Sequence, residues 1–450
     1  MSEVVARGSF DAPGGVRRGP PAGGSGGLRS RAQRINRWTA DHFCVSALVF
    51  TFWTVCAYLR LWPRSLESAS GRLKAGYHAW AYYHLAYSDV LALYREHHLF
   101  AHPLPYIHAP IEYPVVTGVF MWLASLFPGV GGYFLATAFA FLVIGLVTLR
   151  VMKGLCPRTY HVLAFSPLLL FYVLLNWDLL GICFMVIGWW FVRERRWAPA
   201  GIAIALGGFA KLFPFIAVPF LVVELVRDRD RRGLRAFVAG LCVTSVVINL
   251  PFMVGGTHNW LIFFTYNATR QGTAAVLTLV GFNALPVGVS DAMGLVVIGT
   301  LTTWLCIRVY RGGNSRRAAA YVFAAFLLVS KVYSPQYTLW LPVFGLLAEW
   351  PAWTCWVLAG AGVLDYYNSF IFLHLSLTGA KKQVFDWYAH HVFNWGTRVR
   401  YVAVILCVTA SLLKDAPVLG SRSSEREPMT AGRERDPLVE AGLTNAADGS

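Results

Sequence analysis

Charge is scarce in this chain. Only 14% of its 450 residues are Asp, Glu, Lys or Arg, where a soluble domain carries about a quarter. Acidic charge is scarcer still, with 23 Asp and Glu against 39 Lys and Arg, while 56% of residues are hydrophobic. Familiar motifs are missing too. The eight cysteines (Cys44, Cys56, Cys156, Cys183, Cys242, Cys306, Cys355 and Cys407) include no CxxC pair, so they are read as small core residues, without a disulfide framework or zinc site. His84, His97, His98, His102 and His108 crowd one stretch without an HExxH motif, so no metal is expected. No Rossmann-like segment offers to hold a nucleotide, and residues 1–42 lack the apolar core of a cleavable signal peptide.

What is present in abundance is apolar runs. Residues 43–62, 133–149, 237–254 and 353–373 approach the ~20 residues that a bilayer-crossing helix needs. The net charge of +16 falls between these runs and on the tails, as expected for cytoplasmic anchors facing anionic lipid, and no nucleic-acid motif accompanies it. Placing every basic cluster inside (Arg29–Arg37, Arg150–Arg158, Arg193–Arg196, Arg227–Arg235, Arg308–Arg317 and the tail after Lys414) fixes the parity of the crossings. The expected fold is an all-α, polytopic transmembrane bundle of about twelve spans, with a range of 10–13, both termini cytoplasmic and interfacial helices in a long first outer loop. The spans fall near 43–62, 131–150, 160–175, 178–193, 198–212, 214–227, 236–254, 291–309, 318–332, 335–349, 351–373 and 398–414. Two further apolar stretches, 113–127 and 274–288, break the parity and are read as re-entrant or outer-face helices. Residues 1–42 and 415–450 are polar tails expected to be disordered, flanking one membrane domain over 43–414.

That parity sends nearly every unusual polar residue to the outer face. An ionisable group kept in a membrane protein usually has a task or a partner. Asp89 opens a short amphipathic stretch and is either a helix cap or a catalytic base. Glu112, before Tyr113-Pro114, is either a second acid/base group or a partner that holds the loop. Asp178, in Asn176-Trp177-Asp178, needs a cation if it is buried, or else caps the next helix. Lys211 follows fourteen uncharged residues; it either snorkels to the interface or, with Arg270, Lys331 and Gln336, meets a phosphate group.

The strings Ser88-Asp89-Val90, Leu93-Tyr94, Pro105-Tyr106 and Glu112-Tyr113-Pro114-Val115 resemble the first outer loop of glycosyltransferase family 87, actinobacterial mannosyltransferases of the GT-C superfamily. Asn176-Trp177-Asp178-Leu179-Leu180, Ala210-Lys211-Leu212-Phe213-Pro214 and Tyr333-Ser334-Pro335-Gln336-Tyr337-Thr338-Leu339-Trp340 are similar to later signatures of that group, so the resemblance covers about 43–412. It implies a cell-membrane enzyme that moves a hexose, expected to be mannose, from a polyprenyl-phosphate donor to a lipid or glycan acceptor on the outer face, with inversion and without a cofactor. Asp89 matches the family's base, although one extra residue separates it from Tyr94. Glu112, Asp178 and His108 are the candidates to orient the acceptor; Lys211, Arg270, Lys331 and Gln336 are those for the donor phosphate. The rival readings are a transporter or lipid flippase, against which no repeat of two halves stands out, and a noncatalytic scaffold. Oligomeric state and acceptor identity are not written in the sequence.

Overall fold

The computed structural model describes residues 25–270 and 286–420, with side chains for 42–270 and 286–414. Residues 1–24 and 421–450 of the two expected tails, and most of the expected outer helix at 274–288, lie outside the described residues. Among the described residues the chain is all helical, with only two isolated bridges and no strand.

The chain enters the bundle through α1 (Ser25–Leu61), whose helical backbone begins within the stretch expected as a tail. The long loop that follows carries α2 (Tyr77–Tyr83) and α3 (Asp89–Glu96) and leads into α4 (Val115–Ser125) and α5 (Gly129–Leu155). Next come the two single-turn helices α6 (His161–Phe165) and α7 (Leu168–Tyr172), then α8 (Asp178–Arg193), α9 (Trp197–Gly208) and α10 (Val218–Arg227). After α11 (Arg231–Gly255) and α12 (Thr257–Thr269), the second half holds α13 (Val287–Tyr310), α14 (Ser315–Val329), α15 (Tyr337–Leu347) and α16 (Ala352–Leu377). α17 (Lys382–Tyr388) passes through a π-helical turn into α18 (Asn394–Gly420).

Among the described residues, five helices are long and apolar enough to cross a membrane: His42–Leu61 of α1, α5, α11, α13 and the continuous stretch Lys382–Lys414. Of the other expected crossings, 351–373 lies in the unbroken 26-residue α16, which is not apolar enough to join the five; the rest are shorter or broken, and proline accounts for part of it. Pro167 lacks the amide that would continue α6, so 160–175 becomes two turns instead of one span. Pro214 tightens 213–217 into a 3₁₀ turn ahead of α10. α8 has 16 residues, a length of about 24 Å against a hydrocarbon core of about 30 Å. Stretch 113–127, expected as an outer-face helix, holds the eleven-residue α4.

Small residues let the short helices pack closely. A Cβ at Gly201 would strike the Phe237 carbonyl, and one at Gly240 the Ala198 carbonyl, so α9 and α11 meet backbone to backbone. Gly145 of α5 likewise seats the Phe50 ring of α1. Asn314 accepts from the amides of Arg316 and Arg317 and so starts α14; Asp230 caps α11 through Gly233, 2.7 Å away. Outward-facing side chains such as Val247, Val254, Leu295 and Val296 are exposed, as suits a lipid-facing wall. Of the cysteines read as core residues, Cys156, Cys183, Cys355 and Cys407 are buried, whereas Cys44 and Cys242 are exposed on helices of that wall. The difference follows from the solvent: lipid accepts a thiol as readily as a protein core does.

Two cations, the part-buried Arg60 and the buried Arg400, tie the first loop and the last helices to the bundle. Arg60, at the end of α1, donates to the Leu85 carbonyl (2.8 Å) and the Tyr366 hydroxyl (3.0 Å), with its guanidinium against the Phe171 and Tyr366 rings. Arg400 of α18 donates to both carboxylate oxygens of Asp365 on α16, at 2.9 and 3.0 Å, and lies 3.8 Å from the centre of the Tyr333 ring. With the Arg400 and Asp365 side chains 2% and 0% exposed, this pair fixes the 333–336 turn against α16.

Candidate functional site

α3 presents Asp89 to the bundle because the residue before it is nailed down. Ser88 is fully buried; its hydroxyl donates to the Leu174 carbonyl at 2.6 Å, and its amide donates to the Tyr77 hydroxyl oxygen at 2.9 Å. The Asp89 amide donates to the Leu175 carbonyl at 2.8 Å. These bonds dock the start of α3 onto the loop before α8 and aim the Asp89 side chain at that loop. Its Oδ2 accepts from Asn176 Nδ2 at 2.5 Å and from the Tyr113 hydroxyl at 3.4 Å, and Tyr87 supplies a further hydrogen bond. The carboxylate is therefore engaged by other segments of the chain, which disfavours the reading of Asp89 as a mere cap.

Asn176 is the hub. It is 1% exposed, and its amide nitrogen serves both Asp89 and the Tyr113 hydroxyl (2.8 Å). Its oxygen accepts from Lys211 Nζ at 2.8 Å and from the Trp177 amide at 2.6 Å. Lys211 in turn stands 3.1 Å from Asp178 Oδ1 and 4.5 Å from the centre of the Tyr113 ring. Gly181, one turn along α8 from Asp178, makes room: a Cβ there would come within 3.0 Å of Lys211 Cβ and the Phe213 ring. α4 is drawn to the same place by two bonds, Val116 amide to Phe209 carbonyl (2.9 Å) and Thr117 hydroxyl to Ala210 carbonyl (2.8 Å). Tyr113, Asp89, Asn176, Asp178 and Lys211 thus converge from four segments.

The electrostatics favour a base. Burial raises the Asp89 pKa from the usual carboxylate range; hydrogen bonds from Tyr87 and Asn176 and the Lys211 charge pull the other way, and the Asp178 charge adds to the rise. Asp89 still keeps part of its surface open, so a hydroxyl can reach it. Asp178, by contrast, is 0% exposed, and neither of its oxygens has a well-aligned hydrogen bond, so the Lys211 ammonium is its main compensation. Two carboxylates share one cation across the Asn176 amide.

Glu112 stands beside this cluster without entering it. Its Oε2 lies 2.7 Å from His97 Nε2, which joins the end of α3 to the strand of loop that carries Tyr113. Burial alone would raise the Glu112 pKa, but the His97 hydrogen bond and charge outweigh it and leave the pKa lowered. A carboxylate with a lowered folded pKa stabilises above its ordinary value, near 4.3, and that contribution is lost as pH falls through the folded value. Glu112→Gln is therefore expected to cost about 1 kcal/mol at neutral pH and to flatten the acid limb of the thermal-melting curve below about pH 4. Melting followed across that range checks it; an unchanged acid limb would free Glu112 from this pairing.

The remaining sequence candidates sit apart from the cluster. His108 is exposed. Lys331 pairs with Asp291 at 2.8 Å and donates to the Ala268 carbonyl at 3.1 Å. Gln336 is 8% exposed and accepts from the Ser334 hydroxyl at 2.6 Å. Arg270, at the end of α12, is exposed, stands 5.8 Å from the Tyr266 ring centre and, with Asp178, lies within electrostatic reach of Tyr337. No group of three or more His, Cys, Asp or Glu gathers as a metal-ligand set among the described residues. His98 and His102 are four apart, but both have left-handed backbone (φ 51° and 52°) on either side of a 3₁₀ turn, not one helix face. Sequence reasoning passed over the side chains that connect the cluster, Asn176 and Tyr113, because amides and phenols carry no charge to draw the eye. Their only signal was position: Asn176 is two residues before Asp178, and Tyr113 directly follows Glu112.

Residues 112–330 match the family model of glycosyltransferase family 87. Glu112, Tyr113, Asn176, Asp178, Lys211 and Arg270 fall inside the matched segment, and Asp89 lies before it. No curated protein and no solved structure matches the chain. The matched segment is just under half of the chain, and it supports a glycosyltransferase similar to family 87 within an apolar, all-helical membrane bundle.

Proposed function

We propose that the chain moves a hexose, mannose in the first instance, from a polyprenyl-phosphate donor to a hydroxyl of a lipid or glycan acceptor in one inverting step. The observation that carries this reading is Asp89: a carboxylate made more basic by burial, partly open, and oriented by Asn176 and Tyr113. In the step, Asp89 takes the proton of the acceptor hydroxyl as its oxygen attacks the anomeric carbon. The bond from that carbon to the phosphate oxygen breaks, and polyprenyl phosphate leaves with the electron pair. A single displacement needs no enzyme nucleophile. Asp178, deep behind the site, holds Lys211, and Lys211 holds the Asn176 oxygen so that its amide hydrogens face Asp89 and Tyr113.

Lys211 is already committed to Asp178 and Asn176, and Lys331 to Asp291. Among the described residues the Arg270 side chain has no hydrogen bond or ion pair, and its guanidinium is assigned to the leaving phosphate, where a charge-assisted, bidentate contact serves best. Arg270→Gln is expected to lower transfer by about 10²- to 10³-fold with melting unchanged. Unaltered transfer would move the phosphate contact to Lys331 or Gln336. Asp89, Tyr113, Asn176 and Lys211 all fall in stretches that the basic-loop bias places outside, which supports an active site on the outer face with both termini in the cytoplasm and about twelve crossings. The donor is tested in membranes carrying the chain, supplied with either labelled polyprenyl-phosphate mannose or labelled nucleotide mannose. Label transferred from the prenyl donor alone is the expected result; transfer only from the nucleotide sugar would overturn the donor assignment.

A further inference from the structure

At the far end of α3 from Asp89, the first loop borders an open cleft of about 520 Å³ lined by Arg72, His78, Tyr94, Arg95, Glu96 and Phe100 among others. Its charges are unevenly committed. Glu96, the carboxylate of the lining, is engaged by His78 at 3.3 Å. Arg95 spends one N–H on the Ala75 carbonyl at 3.1 Å. The Arg72 guanidinium lies over the Phe100 ring, 4.4 Å from its centre, with no side-chain hydrogen bond or ion pair among the described residues. A guanidinium has five N–H donors in a plane, so stacking on Phe100 holds the face of Arg72 and leaves its edge for an anion. Two arginines on one cleft, with the nearby carboxylate already paired, make a receptor for a phosphate group.

The cleft is also connected to the catalytic cluster. The His78 ring is 6.1 Å from that of Tyr82 and 6.0 Å from that of Tyr87. Tyr82 and Tyr87 stack at 5.2 Å with 6° between their planes, and Tyr87 hydrogen-bonds Asp89. Along α3, Arg95 is six residues beyond Asp89, a rise of about 9 Å. A ligand held at its anionic end by the arginines therefore has an aromatic shelf beneath it and the base within the span of a short glycan.

We propose that this cleft is the acceptor's anchor: it binds the phosphate of a phosphate-bearing sugar headgroup while a hydroxyl further along the sugar reaches Asp89. The role as an acceptor anchor rests on the transferase reading, but the binding does not. Full-length protein in nanodiscs is titrated with labelled glucose 6-phosphate and with glucose, in bilayers of phosphatidylcholine alone or with phosphatidylglycerol. The expected result is saturable binding of glucose 6-phosphate, absent for glucose, weakened at least tenfold in Arg72→Gln/Arg95→Gln and restored in part by Arg72→Lys/Arg95→Lys. Competition by phosphatidylglycerol that vanishes in the Gln variant supports the site and identifies a lipid headgroup as its source of phosphate; lack of competition supports it with a free sugar phosphate. Asp89→Asn should bind as wild type although its transfer is lost; binding by the wild type without any sugar transfer from a prenyl donor would sink the transferase reading and leave the site standing. Binding absent in the wild type, or equal in wild type and the Gln variant, overturns the proposal.

Discussion

Asp89→Asn is expected to lower sugar transfer by about 10²- to 10⁴-fold while leaving the melting temperature close to that of the wild type. The substitution keeps the shape of the side chain and an acceptor oxygen for Asn176, which stands 2.5 Å from Oδ2, so the loop before α8 stays docked. What it removes is the ability to take a proton. It also relieves the repulsion between Asp89 and Asp178, which offsets the loss of hydrogen-bond strength. The pH profile separates this from a structural effect. Because burial raises the Asp89 pKa, the wild-type rate should fall on acidification at a pH above the ordinary Asp value of about 3.9, and that limb should disappear in the variant. Initial rates across pH with both proteins check it. A residual rate that keeps the wild-type acid limb would mean that another group is the base.

Lys211→Met is the opposite kind of change, expected to damage folding first. Asp178 is 0% exposed and loses the cation 3.1 Å away, and breaking a buried pair from one side costs about 3–5 kcal/mol. The same change releases the Asn176 oxygen and so the amide that orients Asp89. The double variant Asp178→Asn/Lys211→Met separates the two consequences. Removing both charges should recover most of the stability. Transfer should remain about 10²-fold below wild type, since small misplacements of a reacting group cost that much. Thermal melting in detergent and transfer rates on the same preparations provide both readouts. Full activity in the double variant would show that Lys211 serves stability alone.

The legible part of this protein was its solvent. Sparse charge and apolar runs identify a membrane bundle: α1, α5 and α11 fall on three of the four longest runs, the fourth run, 353–373, lies in α16, and α13 and the C-terminal helix cover the expected spans 291–309 and 398–414. Less legible was how much of the bundle consists of short pieces. Hydropathy treats 160–175 as one run because leucines and phenylalanines dominate it, yet Pro167 removes one amide and the helix breaks. The site shows the same division. Asp89, Asp178 and Lys211 stood out as charges in apolar surroundings, and the fold brings them together. Their connection through Asn176 and Tyr113 depends on where α4 and the loop before α8 meet, a contact between segments 63 residues apart. The Asp365–Arg400 pair was hidden for a similar reason: its partners lie 35 residues apart on different helices, and only the packing of α16 on α18 joins them.

The most direct test of a one-step transfer with Asp89 as base is the anomeric configuration of the product, read by NMR after reaction of purified protein with polyprenyl-phosphate mannose of known anomer. The expected product has the opposite configuration at the anomeric carbon, because the acceptor oxygen enters on the face away from the departing phosphate. A product that retains the donor's configuration, or no product from any polyprenyl-phosphate sugar, would contradict it.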